Sequence, residues 1–231
     1  MIKISRTKIE LFTQCPRCFW LDKVKGVKRP SGPPFTLNSA VDHLLKKEFD
    51  IHRAQGSAHP LMKKYGIDAV PFQHEKINQW RHNFTGVQVE HKPTDLLIFG
   101  AVDDIWVTPK NELHVVDYKA TAKAGEVELT DQGFHRAYKR QMEVYQWLLR
   151  GNGFTVSDTA YFVYVNGDKD VAAFDAKLEF KVKIISYKGS DAWIEPALGK
   201  IKVCLESEII PQPSSACEFC QYRHSASEIE G

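Results

Sequence analysis

The spacing of apolar residues changes character at Val87. Before it, apolar side chains recur at helical intervals. Ile9, Leu11 and Phe12 predict a helix over residues 4–23, with Ser5 as its N-cap. After the Pro/Gly-rich connector GVKRPSGPPF, the residues Leu37, Val41, Leu44, Leu45 and Phe49 predict a second helix through TLNSAVDHLLKKEFDIHRAQ. A Pro- and Gly-interrupted stretch, residues 59–72, then leads to a helix around 75–83. From Val87 the runs are short and β-rich: VQVEHK, DLLIFGAVDDIWVT and ELHVVDYKAT, the last two joined by the turn signal PKNE into a hairpin. A long helix over about 132–149, closed by Gly151 and Gly153, precedes the strands TAYFVYVNG and LEFKVKIISY. A helix over about 193–206 and an irregular cysteine-bearing tail complete the chain.

Helices first, a hairpin-rich middle, and a helix crossing to more strands predict an α/β sheet domain flanked by helices. Its two ends would form an additional element. No internal repeat or low-complexity segment breaks this pattern.

One strand is at odds with its own hydrophobicity. In LHVVDYKATAK, alternation puts Asp117 and Lys119 on one face of an otherwise apolar run. The preceding run, IFGAVDDIW, also carries acids, and a hairpin would set Asp103 or Asp104 beside Asp117. Two carboxylates in a poorly solvated place repel each other, and a divalent cation with oxygen ligands removes that cost. Lys119 would then orient a water or offset charge on a phosphate. The other open reading is a sheet-face ion pair. His43, on the second helix, is a candidate additional metal ligand or an ordinary surface residue. Gln141 and Tyr145, four apart, share a helix face and could guide a lysine or hold a phosphate.

In order, His43, GAVD, VVDYK and QMEVY resemble the PD-(D/E)xK nuclease superfamily, above all its RecB-like exonuclease branch, which includes CRISPR-associated RecB-like nucleases. The resemblance implies a restriction-endonuclease-like central mixed sheet flanked by helices. It also implies one nuclease domain over 1–231, with 1–30 and 205–231 forming a metal-binding cap. Carried over residue by residue, it makes His43, Asp103, Asp117 and the Tyr118 carbonyl ligands of Mg²⁺ or Mn²⁺. Lys119 would position or activate the nucleophile, and Gln141 and Tyr145 would position Lys119 and the substrate backbone. Asn38 stands where such helices often carry glycine, and Asp104 rivals Asp103. The implied activity is metal-dependent hydrolysis of DNA, single-stranded or at duplex ends, in repair, recombination or CRISPR-type adaptation. A catalytically idle DNA-binding subunit of a larger complex is the alternative.

Five cysteines bring in different chemistry. QCPRCFW and SACEFCQYR are CxxC pairs near opposite ends, and their four thiolates suffice for zinc or an iron–sulfur cluster. The resemblance points to a four-iron four-sulfur cluster at Cys15, Cys18, Cys217 and Cys220, with zinc as the alternative. Relatives use one N-terminal and three C-terminal cysteines, a departure from the two-plus-two arrangement here. Cys204 is expected in the core.

Composition changes this picture little. With 43% hydrophobic and 26% charged residues the chain has the balance of a globular protein. A net charge of +2 means that nucleic-acid contact must come from a local basic surface. FHRAYKRQ (residues 134–141) and KVKGVKRP (23–30) are the candidate stretches, with Arg136, Lys139 and Arg140 for phosphates and Tyr138 for base stacking. Without a signal peptide or a membrane-length apolar run, a cytoplasmic location with reduced thiols is expected.

Overall fold

The computed structural model describes residues 1–231. In chain order its elements are β1 (Ile2–Ser5), α1 (Arg6–Gln14), α2 (Pro16–Val24), α3 (Thr36–Gln55), α4 (Pro60–Lys64), β2 (Val70–Pro71), α5 (Ile77–Trp80) and β3 (Val87–His91). Then follow β4 (Leu96–Gly100), β5 (Asp104–Val107), β6 (Leu113–Thr121), α6 (Gly133–Gly151), β7 (Thr159–Gly167), β8 (Phe180–Lys188), α7 (Ile194–Glu206) and α8 (Glu218–Glu230). They divide into two units, one made of Met1–Pro33, Val89–Phe99 and Ala192–Gly231, the other of Pro34–Gln88 and Gly100–Asp191.

The second unit holds a five-stranded mixed sheet in the order β2-β5-β6-β7-β8. Its one parallel pair is β6 and β7, joined through α6, as a parallel pair requires a long crossover. The other pairs are antiparallel. β6 is the strand on which both large helices pack. The side of β6 bearing Val116 and Tyr118 joins an apolar cluster with Leu45 and Phe49 of α3, Trp106, Val163 and Val165. Phe49 stacks 5.5 Å from Trp106 and lies tilted 5.6 Å from Tyr118. The other side of β6 meets α6, whose Gln141, Tyr145 and Leu148 are buried at helical intervals.

The first unit carries a three-stranded sheet ordered β1-β4-β3, with β1 parallel to β4 from Ile2–Leu96 to Ser5–Phe99. Ile4, Ile9, Phe19, Leu96, Ile98, Leu198 and Ile201 are buried in it. Helices α1, α2 and α7 pack on one another.

Three local expectations change. The helix expected over 4–23 is a strand and two helices. Ser5 does cap α1, accepting from the Lys8 N–H at 3.3 Å, but Cys15 is extended (φ −161°, ψ 107°) and Pro16 opens α2. Proline drives its predecessor out of the helical region and suits a helix's first turn, so the break falls where Pro16 stands. DLLIFGAVDDIWVT splits at residues 101–103 into β4 and β5, which join different sheets. The tail is no irregular cap from Glu218 onward but the helix α8, opened by Cys217 as N-cap with Glu218 in its first turn.

Candidate functional site

The hairpin β5–β6 settles which acid stands beside Asp117. Asp104 lies opposite Val116 and Ile105 opposite Val115, so the residue just before β5, Asp103, comes opposite Asp117. Because side chains alternate, the adjacent acids part company. Asp103 goes to the face of Asp117 and Lys119, and Asp104 to the face of Val116 and Tyr118.

Asp104 is fully buried there and held on every side. Arg53 and Arg81 form ion pairs with it, the latter at 3.0 Å, and the Tyr118 hydroxyl donates to it at 2.7 Å. Asp50 bridges the same two arginines, 2.9 Å from Arg53 Nε and 2.8 Å from Arg81 Nη1. A buried carboxylate so enclosed is a structural anchor.

On the opposite face Asp117 is also fully buried. It is ion-paired with Lys119 and accepts from Gln141 Nε2 at 2.7 Å. The same Nε2 lies 3.1 Å from the Tyr145 hydroxyl, so the Gln–x–x–x–Tyr pair of α6 acts as one support for Asp117. Asp103 is half-buried. Its Oδ2 accepts from the Tyr118 N–H at 3.0 Å and its Oδ1 from Lys46 Nζ at 3.2 Å. The structure therefore brings together Asp103, Asp117, Tyr118, Lys119, Gln141 and Tyr145.

His43 is not among them. It is exposed on α3, and the contacts from this helix are made by its neighbours on another face. Lys46 bridges Asp103 and Asp42, the latter at 2.8 Å, and Asn38 Nδ2 donates to the Ala120 carbonyl at 2.8 Å. Residues 38, 42 and 46 repeat every four positions, in phase with buried Phe49, whereas His43 lies about 100° further round. That phase is the sequence signal for Asp42 and Lys46, which the expectation centred on His43 did not include. A second residue outside the expectation is Tyr138 in the role it takes: its ring covers Lys119 Nζ at 4.5 Å. Lys139, expected to face phosphates, is ion-paired with Asp131.

The charges show a site short of positive charge at its centre. Burial pushes the Asp117 carboxyl up to about 7, and the charge of Asp103 adds to the rise against the pull of Lys119. Burial also works against ionised Asp103, but Lys46, Lys119 and the Tyr118 N–H together hold its carboxyl below the usual range. Asp42 is raised by burial and by the charge of Asp103. Lys119 is raised above the ordinary lysine value despite burial, because both acids face it. Two carboxylates, a third nearby and the backbone at Tyr118 form a set of hard oxygen donors, the kind that Mg²⁺ and Mn²⁺ take.

The cysteines form a separate group. Cys15, Cys18, Cys217 and Cys220 are all buried, and their Sγ atoms lie within 4.8 Å of one another. Cys18 stands 3.6 Å from both Cys217 and Cys220, and Cys15 stands 3.8 Å from Cys220. Arg29 Nη2 donates to Cys217 Sγ at 3.3 Å, and its guanidinium lies 4.6 Å over the Phe219 ring. Cys204, buried in α7, is not part of the group. No helix is long and apolar enough to cross a membrane.

Among solved structures, the chain is similar to a candidate exonuclease from Eubacterium rectale at 15% identity and a TM-score of 0.45, over 95% of this chain and 87% of that one. It is similar also to a phage-related exonuclease from Haemophilus somnus at 13% identity and a TM-score of 0.43, over 93% of this chain and 82% of the other. No curated protein matches it in sequence. The sequence model of one family matches residues 37–225, a span that contains the whole carboxylate site. With that span and that constellation, the chain belongs to the PD-(D/E)XK nuclease superfamily.

Proposed function

We infer that the chain is a divalent-metal-dependent deoxyribonuclease that works from DNA ends. The observation that carries this reading is the pairing of Asp103 with Asp117 on one face of β5–β6, with Lys119 beside them. Asp103, Asp117 and the Tyr118 carbonyl would hold Mg²⁺ or Mn²⁺, and from α3 Asp42, drawn toward Asp103 by Lys46, would contribute in place of the exposed His43. When bound, such an ion supplies Lewis-acid activation of the attacking water and stabilises charge gathering on the phosphoryl oxygens.

The chain's own groups do the rest. Gln141 fixes one oxygen of Asp117 and leaves the other toward Lys119. Lys119, whose ammonium faces both acids, would serve as a positive charge and donor toward a phosphate and position the attacking water. Tyr138 caps that ammonium and limits its hydration and its swing. Lys46 holds Asp42 and Asp103 to a common centre. Family membership makes a nucleic acid the substrate. DNA and attack at ends follow from the order of motifs shared with the RecB-like branch.

The test is degradation of linear and covalently closed DNA, and of RNA, with Mg²⁺, with Mn²⁺ and with chelator. The expected result is metal-dependent loss of linear DNA from its ends, sparing closed circles and absent in Asp117→Ala. Equal inertness of wild type and variant in both metals would overturn the nuclease reading and leave the idle DNA-binding subunit. Cleavage of closed circles would replace end-directed action by internal cutting.

A further inference from the structure

We propose that Cys15, Cys18, Cys217 and Cys220 bind a single zinc ion, with Arg29 as its charge-balancing partner, and that they do not hold the four-iron four-sulfur cluster implied by the resemblance. Distance decides between the two. Four thiolates around one zinc, each about 2.3 Å from it, stand about 3.8 Å from one another by tetrahedral geometry. Three of the sulfur pairs here are 3.6, 3.6 and 3.8 Å apart, and the whole quartet falls within 4.8 Å. In a four-iron four-sulfur cluster each cysteine binds a different iron at a different corner. Its sulfurs straddle the whole inorganic core and cannot touch. Here they do touch, and the space between them admits one ion.

The ligands' supports fit the same answer. Each CxxC pair begins at a helix N-cap, Cys15 on α2 and Cys217 on α8, with its second cysteine in the first turn. The helix dipole there favours thiolate. Four thiolates on a divalent ion leave two surplus negative charges. Arg29 meets that surplus directly, donating to Cys217 Sγ while Phe219 holds its guanidinium in place. The donor set is complete without water, as in a structural rather than a catalytic zinc site. On binding, the thiols still protonated give their protons to solvent, and no electron changes hands.

The experiment is metal analysis, acid-labile sulfide assay and visible spectroscopy on the full chain, purified without oxygen from cells supplied with both iron and zinc. One zinc per chain, a colourless solution and no sulfide are expected. Replacing zinc with Co²⁺ should give the intense visible bands of a tetrahedral thiolate site. Iron with sulfide at or above the zinc content overturns the proposal, and so does a chain that binds neither metal. Cys18→Ser should lose the zinc. Because that variant can fail to fold, Arg29→Gln provides the second reading: it should keep the ion but bind it roughly tenfold more weakly in competition with a chromophoric chelator. Zinc affinity unchanged in Arg29→Gln removes Arg29 from the site.

Discussion

The carboxylate site and the cysteine quartet both crowd negative groups together, and they resolve the crowding in opposite ways. Around Asp103 and Asp117 the compensation comes from two lysines on long, movable stems, Lys46 and Lys119. Asp103 and Lys119 keep 22% and 16% of their side-chain surface exposed, so both are open to solvent. Around the cysteines the compensation is one stacked arginine, and none of the four cysteines is more than 9% exposed. The first arrangement can exchange its partners, and the second cannot. An open set of hard oxygens suits turnover, whereas a closed set of soft sulfurs suits permanence.

The largest effect should come from Asp117→Ala. It should lower DNA cleavage by at least ~10³-fold in a gel assay while leaving the circular-dichroism spectrum unchanged. Residual activity near wild type would mean that the pair is a structural salt bridge and that the two regions do not differ as argued. Next in size is metal removal. A strong thiol-site chelator should lower the midpoint of thermal unfolding by several degrees, because the ion's binding free energy is part of folding. EDTA added to chain that retains its zinc should abolish cleavage and shift that midpoint little. If the effects of the two chelators are the same, the contrast between exchangeable and permanent sites fails.

A third test concerns α3. Asp42→Asn should reduce cleavage about tenfold or more at limiting metal, and His43→Ala less than twofold. The reverse order would restore His43. The fourth is pH. Below about 7 the Asp117 carboxyl holds a proton that a cation must displace. Metal affinity should therefore fall by up to about tenfold per pH unit below 7 and level off above it. Titration calorimetry in buffers of different ionisation enthalpy would count the proton released. A flat profile between pH 6 and 8 would mean that the carboxylates are ionised throughout. The smallest effect is expected for Tyr138→Leu, which removes the ring over Lys119 and should cost about 0.5–2 kcal/mol in kcat/KM, a several-fold drop. Phe134, one turn earlier on α6 and exposed, offers a control.

Much of the carboxylate site was legible in the sequence because strand alternation is strict. Asp117 and Lys119 had to share a face, and the PKNE turn brought an acid of GAVDD next to them. Choosing Asp103 over Asp104 needed the register, which a one-residue slip would have reversed. The helix contribution was harder, since one residue on α3 turns the side chain by about 100° and a histidine attracts notice whichever way it points. Asp42 was readable only through its phase with Asn38, Lys46 and Phe49. Arg53, Arg81 and Asp50 were invisible as a set, because separate elements bring them to Asp104 and no local pattern announces it. Pro16 and its effect on Cys15 were local and could have been read. The division of residues 96–107 between two sheets could not.

The separation of Asp103 from Asp104 has a further consequence. Neighbours in the chain by one peptide bond, they answer to different demands. Loss of the Asp104 carboxylate would leave the buried Arg53 and Arg81 with the half-exposed Asp50 as their remaining acid, at a cost of up to about 3–5 kcal/mol of stability. Loss of the Asp103 carboxylate would leave the fold standing and the site without a ligand. Selection for heat tolerance would thus act on position 104 and selection for turnover on position 103. In a set of variants screened for both, the two positions would sort independently: cold-sensitive or heat-sensitive chains that still cut at one, and sturdy chains that no longer cut at the other.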